Sequence, residues 1–223
     1  MPNPFEQFAS TSADPPVRGF LHPSGESGTG LVLTHGAGGN CNSPLLVALT
    51  KALVQSGVTV LRCNLPFRQA RSYGPPRPAD ATRDREGLRN AIQELRKVGV
   101  KRVIVGGQSY GGRQASMLCA ENSQVADGLL LLSYPLHAPG KPQQLRTQHL
   151  PNLRLPTLIV HGTRDPFATS EEIEEAVTLI PAETRIIHAE GAGHDLGFAG
   201  KKRNEDLIPR IAEGMKWLLQ KSS

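Results

Sequence analysis

The stretch Arg102-Val103-Ile104-Val105-Gly106-Gly107-Gln108-Ser109-Tyr110-Gly111-Gly112-Arg113 decides the reading of this chain. It opens with a short β-branched run of the kind that fills a buried strand, and from Arg113 to Cys119 the pattern turns helical. Between the two lies Gly107-Gln108-Ser109-Tyr110-Gly111, a G-x-S-x-G in the strand–turn–helix setting that gives this motif its meaning. The reason for the glycines is steric: a sharp turn holds the serine in a strained backbone conformation, and residues without a Cβ let strand and helix approach. Ser109 is therefore expected at the C-terminal edge of a sheet, presented as a nucleophile.

Outward from this point the same alternation repeats. Apolar runs at residues 30–34, 59–63, 128–132, 157–160 and 184–188 join 102–105 as strands, and their near-continuous Val, Leu and Ile content fits strands covered on both faces. Between them, residues 45–54, the set Leu88, Ala91, Ile92, Leu95, and the set Leu207, Ile208, Ile211, Met215, Leu218 recur at helical spacing. Asp80 or Thr82 starts the second helix and Gly99 ends it, and Ser170 before Glu171, Glu172 and Glu174 reads as a capped, acidic first turn. The fold class is α/β, a mostly parallel sheet of six or more strands flanked by helices. Residues 1–16 are polar and punctuated by proline, which reads as a flexible N-terminal arm and neither a signal peptide nor an anchor. Residues 17–223 are expected to form a single domain, since the spacing of the elements leaves no room for another.

Composition narrows the function classes. Twenty-five basic against 20 acidic residues leave a formal charge of +5, but the two signs interleave along the chain, which disfavours nucleic acid as a partner. No run nears the roughly 20 apolar residues of a membrane span, so a soluble protein with no membrane partner is expected. Cys41, Cys63 and Cys119 have no metal-ligand spacing and make no disulfide framework, which points to a reducing, cytoplasmic setting. Neither H-E-x-x-H nor C-x-x-C occurs, so no metal is expected.

A serine hydroxyl is a weak nucleophile near neutral pH and needs an imidazole to take its proton and a carboxylate to orient that imidazole. In the chain order that accompanies this motif, the acid and then the histidine follow the serine. Asp165 stands just past the run 157–160, and His194 lies in the loop Glu190-Gly191-Ala192-Gly193-His194-Asp195 before the last helix. Asp195 is the rival acid, ranked second because an adjacent residue in an extended loop points away; His137 and His149 rank below His194. The oxyanion hole is expected from the N–H groups of Tyr110 and of Ala37 in His35-Gly36-Ala37-Gly38-Gly39-Asn40. That loop lacks the Lys-Ser/Thr of a phosphate-binding loop.

Taken in order, Gly107 to Arg113, Ser133-Tyr134-Pro135-Leu136-His137-Ala138-Pro139-Gly140-Lys141-Pro142, Gly162-Thr163-Arg164-Asp165-Pro166-Phe167 and Gly193-His194-Asp195-Leu196 resemble the α/β-hydrolase superfamily. Within it the chain is similar to the dienelactone-hydrolase-related branch of small, nearly lidless members. A narrower likeness is to the hydrolase-like domain of the third regulatory subunit of the non-specific-lethal chromatin complex. The resemblance implies an acyl-enzyme on Ser109, no cofactor, and Asp165 and His194 at the triad positions. Dienelactone hydrolases proper use cysteine as nucleophile, so their lactone substrate does not carry over. The expected substrate is a small ester or thioester, with lactone or peptidase-like hydrolysis and an idle interaction module as the alternatives. Arg68 and Arg71 in the Pro/Gly/Arg-rich loop 68–78, with Arg77, and His137 beyond the fourth strand, are the candidate substrate-binding residues.

Overall fold

The computed structural model describes residues 6–25, 28–200 and 203–221. Eight strands form one sheet: β1 (Glu6–Ser10), β2 (Val17–His22), β3 (Thr29–Thr34), β4 (Thr59–Cys63), β5 (Arg102–Gln108), β6 (Gly128–Leu132), β7 (Thr157–Gly162) and β8 (Thr184–Ala189). Their order is β1-β2-β4-β3-β5-β6-β7-β8; the last six run parallel, and β1 and β2 are antiparallel to their neighbours. The six runs expected from the sequence are the six parallel strands. Residues 6–10, expected to belong to a loose arm, instead pair with β2 from Glu6↔Leu21 to Ser10↔Val17. Only Phe8 of this edge strand packs toward the core, and it is half-buried, so five residues carry too little of an alternating apolar pattern to read as a strand. Residues 1–5 of the arm lie outside the described residues.

The helices are α1 (Pro44–Gln55), α2 (Pro66–Ala70), α3 (Asp80–Lys97), α4 (Tyr110–Glu121), α5 (Ser170–Val177) and α6 (Leu207–Lys221). Pleating divides the sheet's side chains between two layers. Val103, Val105, Leu129 and Leu131 meet Leu88, Ile92 and Leu95 of α3 and Leu118 of α4 on one face. Ile104, Leu130, Leu132 and Leu158 meet Leu46 and Leu49 of α1 and Ile211 and Leu218 of α6 on the other. The α5 cap falls one residue before the expected Ser170. The Thr169 hydroxyl accepts from the Glu172 N–H at 3.2 Å, and the Thr169 N–H donates to the Glu172 carboxylate at 2.8 Å, a reciprocal capping box. Residues 68–70, expected to open the loop 68–78, instead close α2, because five residues are too few to show a helical period.

Strand β5 extends past Val105 through Gly106 and Gly107, which pair with Leu130 and Leu131 of β6. Glycine has little intrinsic preference for a strand. It stands here because a Cβ on Gly106 would lie 2.2 Å from the Leu130 carbonyl oxygen. A Gly106→Ala substitution is expected to cost about 1–3 kcal/mol through overpacking. Gly25→Ala, where a Cβ meets nothing within 4 Å, should stay within about 0.5 kcal/mol of the parent. Urea-unfolding midpoints of the two variants check the contrast.

Candidate active site

Three parallel strands deliver the candidate residues to one end of the sheet. Ser109 follows β5 directly, with φ 50° and ψ −116°, a region that costs a non-glycine residue energy. Its N–H donates to the Leu132 carbonyl at 2.7 Å, and its carbonyl accepts from the Arg113 N–H at 2.9 Å, so the turn is tied to β6 on one side and to α4 on the other. Gly111 lets α4 pack against the end of β3, since a Cβ there would lie 2.5 Å from the His35 carbonyl oxygen.

Asp165 sits three residues past β7 and His194 in the loop after β8. These two loops are laced together: the Arg164 N–H donates to the Ala192 carbonyl at 2.9 Å and the Gly191 N–H to the Thr163 hydroxyl at 2.8 Å. The three side chains meet in a line. His194 Nε2 is 2.8 Å from Ser109 Oγ, and His194 Nδ1 is 2.8 Å from Asp165 Oδ2. The Asp165 side chain is fully buried, and its Oδ1 accepts from the Phe167 N–H at 2.8 Å, so one lone-pair direction remains aimed at the imidazole. Phe167 also stacks on the His194 ring at a centroid distance of 4.0 Å and 28°. The rival acid Asp195 folds back on its own loop, accepting from the N–H groups of Gly197 (3.2 Å) and Ala199 (2.6 Å).

The N–H groups of Ala37 and Tyr110 have no acceptor among the described residues, and that of Tyr110 opens α4, where no intrahelical partner exists. The loop bearing Ala37 is held from behind by Arg68. Arg68 is buried in α2, and its guanidinium donates to the carbonyls of Gly39 (2.8 Å), Ala37 (2.8 Å), Gly74 (2.9 Å) and Arg71 (3.3 Å). His35 braces the other side. Its Nδ1–H donates to the Gly36 carbonyl at 2.9 Å while Nε2 accepts from the Leu65 N–H at 3.1 Å, which requires the neutral ring. Tyr110 is fixed through its hydroxyl, which donates to Asp84 Oδ2 at 2.8 Å; Asp84 Oδ1 accepts from the Phe67 N–H at 2.9 Å. Burial pushes the Asp84 carboxyl up from its usual range.

The cleft over Ser109 has a volume of about 700 Å³. Of the expected substrate-binding residues, Arg68, Arg71 and His137 do not line it, whereas Arg77 does. Arg68 is committed to four carbonyls, Arg71 pairs with Asp80 at 2.5 Å, and His137 is buried between the Ala138 carbonyl (2.8 Å) and Glu172 (3.1 Å). Beside Arg77, the cleft wall carries Arg113 and Arg146. Arg113 was legible as the residue one helical turn after Ser109; Arg146 lies in an aperiodic segment and was not. The three cysteines are free and buried, and burial pushes Cys63 and Cys119 up to about 12, so neither offers a thiolate. Among the described residues no His, Cys, Asp and Glu group is arranged to hold a metal, and no helix is long and apolar enough to cross a membrane.

A nucleophile turn at the C-terminal end of a parallel sheet, with an acid and a histidine on later loops, defines the architecture of an α/β-hydrolase. The family model described as Alpha/beta hydrolase domain matches residues 27–217, and the chain belongs to that family. Its fold is similar to that of dienelactone hydrolase from Anabaena variabilis, with 18% identity, coverage of 95% of this chain and 97% of that one, and a TM-score of 0.72. It is also similar to XC6422 from Xanthomonas campestris, described as a serine hydrolase without a lid, with 15% identity, coverage of 97% and 95%, and a TM-score of 0.71. A stretch of 48 residues is 48% identical to polyketide synthase ThaQ of Burkholderia thailandensis; it takes in 22% of this chain and only 2% of that protein.

Burial, with Arg68 nearby, pulls the His35 ring down to about 4, against the 6.5 of a free histidine. Between those values the unfolded chain binds a proton that the folded chain refuses, so stability falls as pH drops through this window. A His35→Gln variant is expected to lose stability less steeply over the same window, by up to about 1.4 kcal/mol per pH unit. Urea unfolding of both proteins at several pH values checks the slopes.

Proposed function

We propose that this protein is a serine hydrolase that cleaves a small ester or thioester through an acyl-enzyme on Ser109. The observation that carries the reading is the line of hydrogen bonds Ser109–His194–Asp165, with both contacts to the imidazole at 2.8 Å. His194 Nε2 takes the hydroxyl proton as Ser109 Oγ attacks the carbonyl carbon. The N–H groups of Ala37 and Tyr110 receive the oxyanion of the tetrahedral species. As that species collapses, the bond to the leaving oxygen or sulfur breaks and His194 returns the proton to it. A water molecule then gives its proton to His194 and attacks the acyl carbon, releasing the acid and restoring Ser109. Asp165 keeps Nδ1 protonated throughout and stabilises the imidazolium. The open cleft suits short acyl groups. In the segment 137–156, the described backbone contains one three-residue helical turn, Leu150–Asn152, and no helical cap over Ser109.

Treatment with a fluorophosphonate is expected to label Ser109, and Ser109→Ala is expected to lose both the label and turnover of short-chain nitrophenyl esters. A variant that keeps its turnover contradicts the assignment, and a folded parent protein that neither labels nor turns over returns the chain to the interaction-module reading.

Arg68 acts in this scheme as a positioning residue for the Ala37 N–H. An Arg68→Met variant should lower kcat about tenfold or more, approaching the loss seen when an oxyanion donor is removed, with KM little changed. Steady-state kinetics on one neutral ester separate this from a loss of binding, which would raise KM instead.

A further inference from the structure

The cleft over Ser109 carries a charge imbalance that ester hydrolysis by itself does not call for. Arg113 enters it from α4, one helical turn of about 5.4 Å beyond the nucleophile. Arg146 enters from the segment 137–156, where its backbone is pinned by the Leu136 carbonyl (2.7 Å from its N–H) and by the Tyr134 hydroxyl, which donates to its carbonyl at 2.9 Å. Among the described residues no carboxylate lies within ion-pair distance of either guanidinium, whereas Arg71, Arg83, Arg85 and Arg89 all have acidic partners. The carboxylates of α3 behind the cleft-lining Ala81 and Tyr110 are already engaged: Asp80 by Arg71, and Asp84 by Tyr110 and the Phe67 N–H. Arg113 Nε is buried and has no hydrogen-bond partner. Gln114 is fully buried and lines the same cleft, and its Nε2 is likewise unpartnered, while its Oε1 accepts from Arg85 at 3.1 Å. The two arginines sense each other, since the charge of Arg113 adds to burial in lowering Arg146 and in holding His149 down to about 4.

Two like charges are costly to hold together in a half-buried cleft unless an anion joins them, and unpartnered buried donors are the complement of such an anion. Guanidinium groups present forked donors matched to carboxylate and phosphate oxygens. We propose that the substrate carries an anionic group, carboxylate or phosphate, a short distance from the scissile carbonyl, and that Arg113 and Arg146 receive it. This rests on the hydrolase reading of Ser109 and names its substrate class. Arg77, on the exposed rim, adds long-range attraction for the same charge.

The test compares mono-4-nitrophenyl adipate with 4-nitrophenyl hexanoate, which have the same acyl length and differ in the terminal carboxylate. The parent protein is expected to favour the adipate in kcat/KM by about tenfold or more, the size of one charge-assisted hydrogen bond. Raised ionic strength should shrink that preference, and Arg113→Gln and Arg146→Gln should each abolish most of it. No preference in the parent, or a preference that neither substitution reduces, overturns the proposal. Calorimetric titration of Ser109→Ala with adipate and with inorganic phosphate separates the two anion chemistries without catalysis. Heat from one or both, lost on adding Arg113→Gln, supports the anion site, and no heat from either overturns it. A parent protein that hydrolyses neither ester and takes no fluorophosphonate refutes the hydrolase reading, while the titration still decides the anion site by itself.

Discussion

The backbone at Ser109 is held where a residue with a side chain does not rest of its own accord, and much of the molecule exists to keep it there. A positive φ at a non-glycine residue costs about 1–3 kcal/mol. The strain is offset locally by the bond from the Ser109 N–H to Leu132 and by the bond from Arg113 to the Ser109 carbonyl. It also requires β5, β6 and α4 to approach more closely than Cβ atoms allow, which is why glycine occupies positions 106 and 112. The two apolar layers on either face of the sheet supply the burial that holds these elements in place.

Because β3, β5, β7 and β8 are parallel, their C-terminal ends share one edge, and four sequence-distant loops meet above it without any long-range search by flexible side chains. The loop after β3 brings Ala37, the turn after β5 brings Ser109, and the laced loops after β7 and β8 bring Asp165 and His194. Buried polar groups stiffen two of these arrivals, Arg68 and His35 behind the Ala37 loop and Asp84 behind Tyr110, and the Phe167 ring stacks against the imidazole. Pre-organisation of this kind is what electrostatic stabilisation of an oxyanion depends on, since donors already in position need no reorganisation during reaction.

How much of this can be read from the chain alone follows from which forces leave a local trace. The six parallel strands are legible because strands buried on both faces must be apolar throughout. Ser109, Asp165 and His194 are legible because chain order and strand ends restrict where partners stand. β1 leaves almost no trace because this five-residue edge strand turns a single large apolar side chain, Phe8, toward the core. Arg68 misleads, since in sequence it looks like one of several solvent-facing loop charges, and only the tertiary path of α2 turns it inward to four carbonyls. His137 misleads in the same way, because its partner Glu172 belongs to a helix that sequence distance does not connect to it. Arg146 is invisible for a related reason: the segment 137–156 has almost no regular structure, so nothing in its pattern says which side chains face the cleft.

A covalent step on Ser109 is tested most directly by catching the acyl-enzyme. The parent protein is mixed with a short-chain nitrophenyl ester, acid-quenched within a turnover, and its intact mass and peptide map are recorded. The expected result is a mass gain of one acyl group, confined to the peptide containing Ser109 and decaying as the ester is exhausted. Turnover with no adduct at any quench time, or an acyl group on another residue, would contradict it.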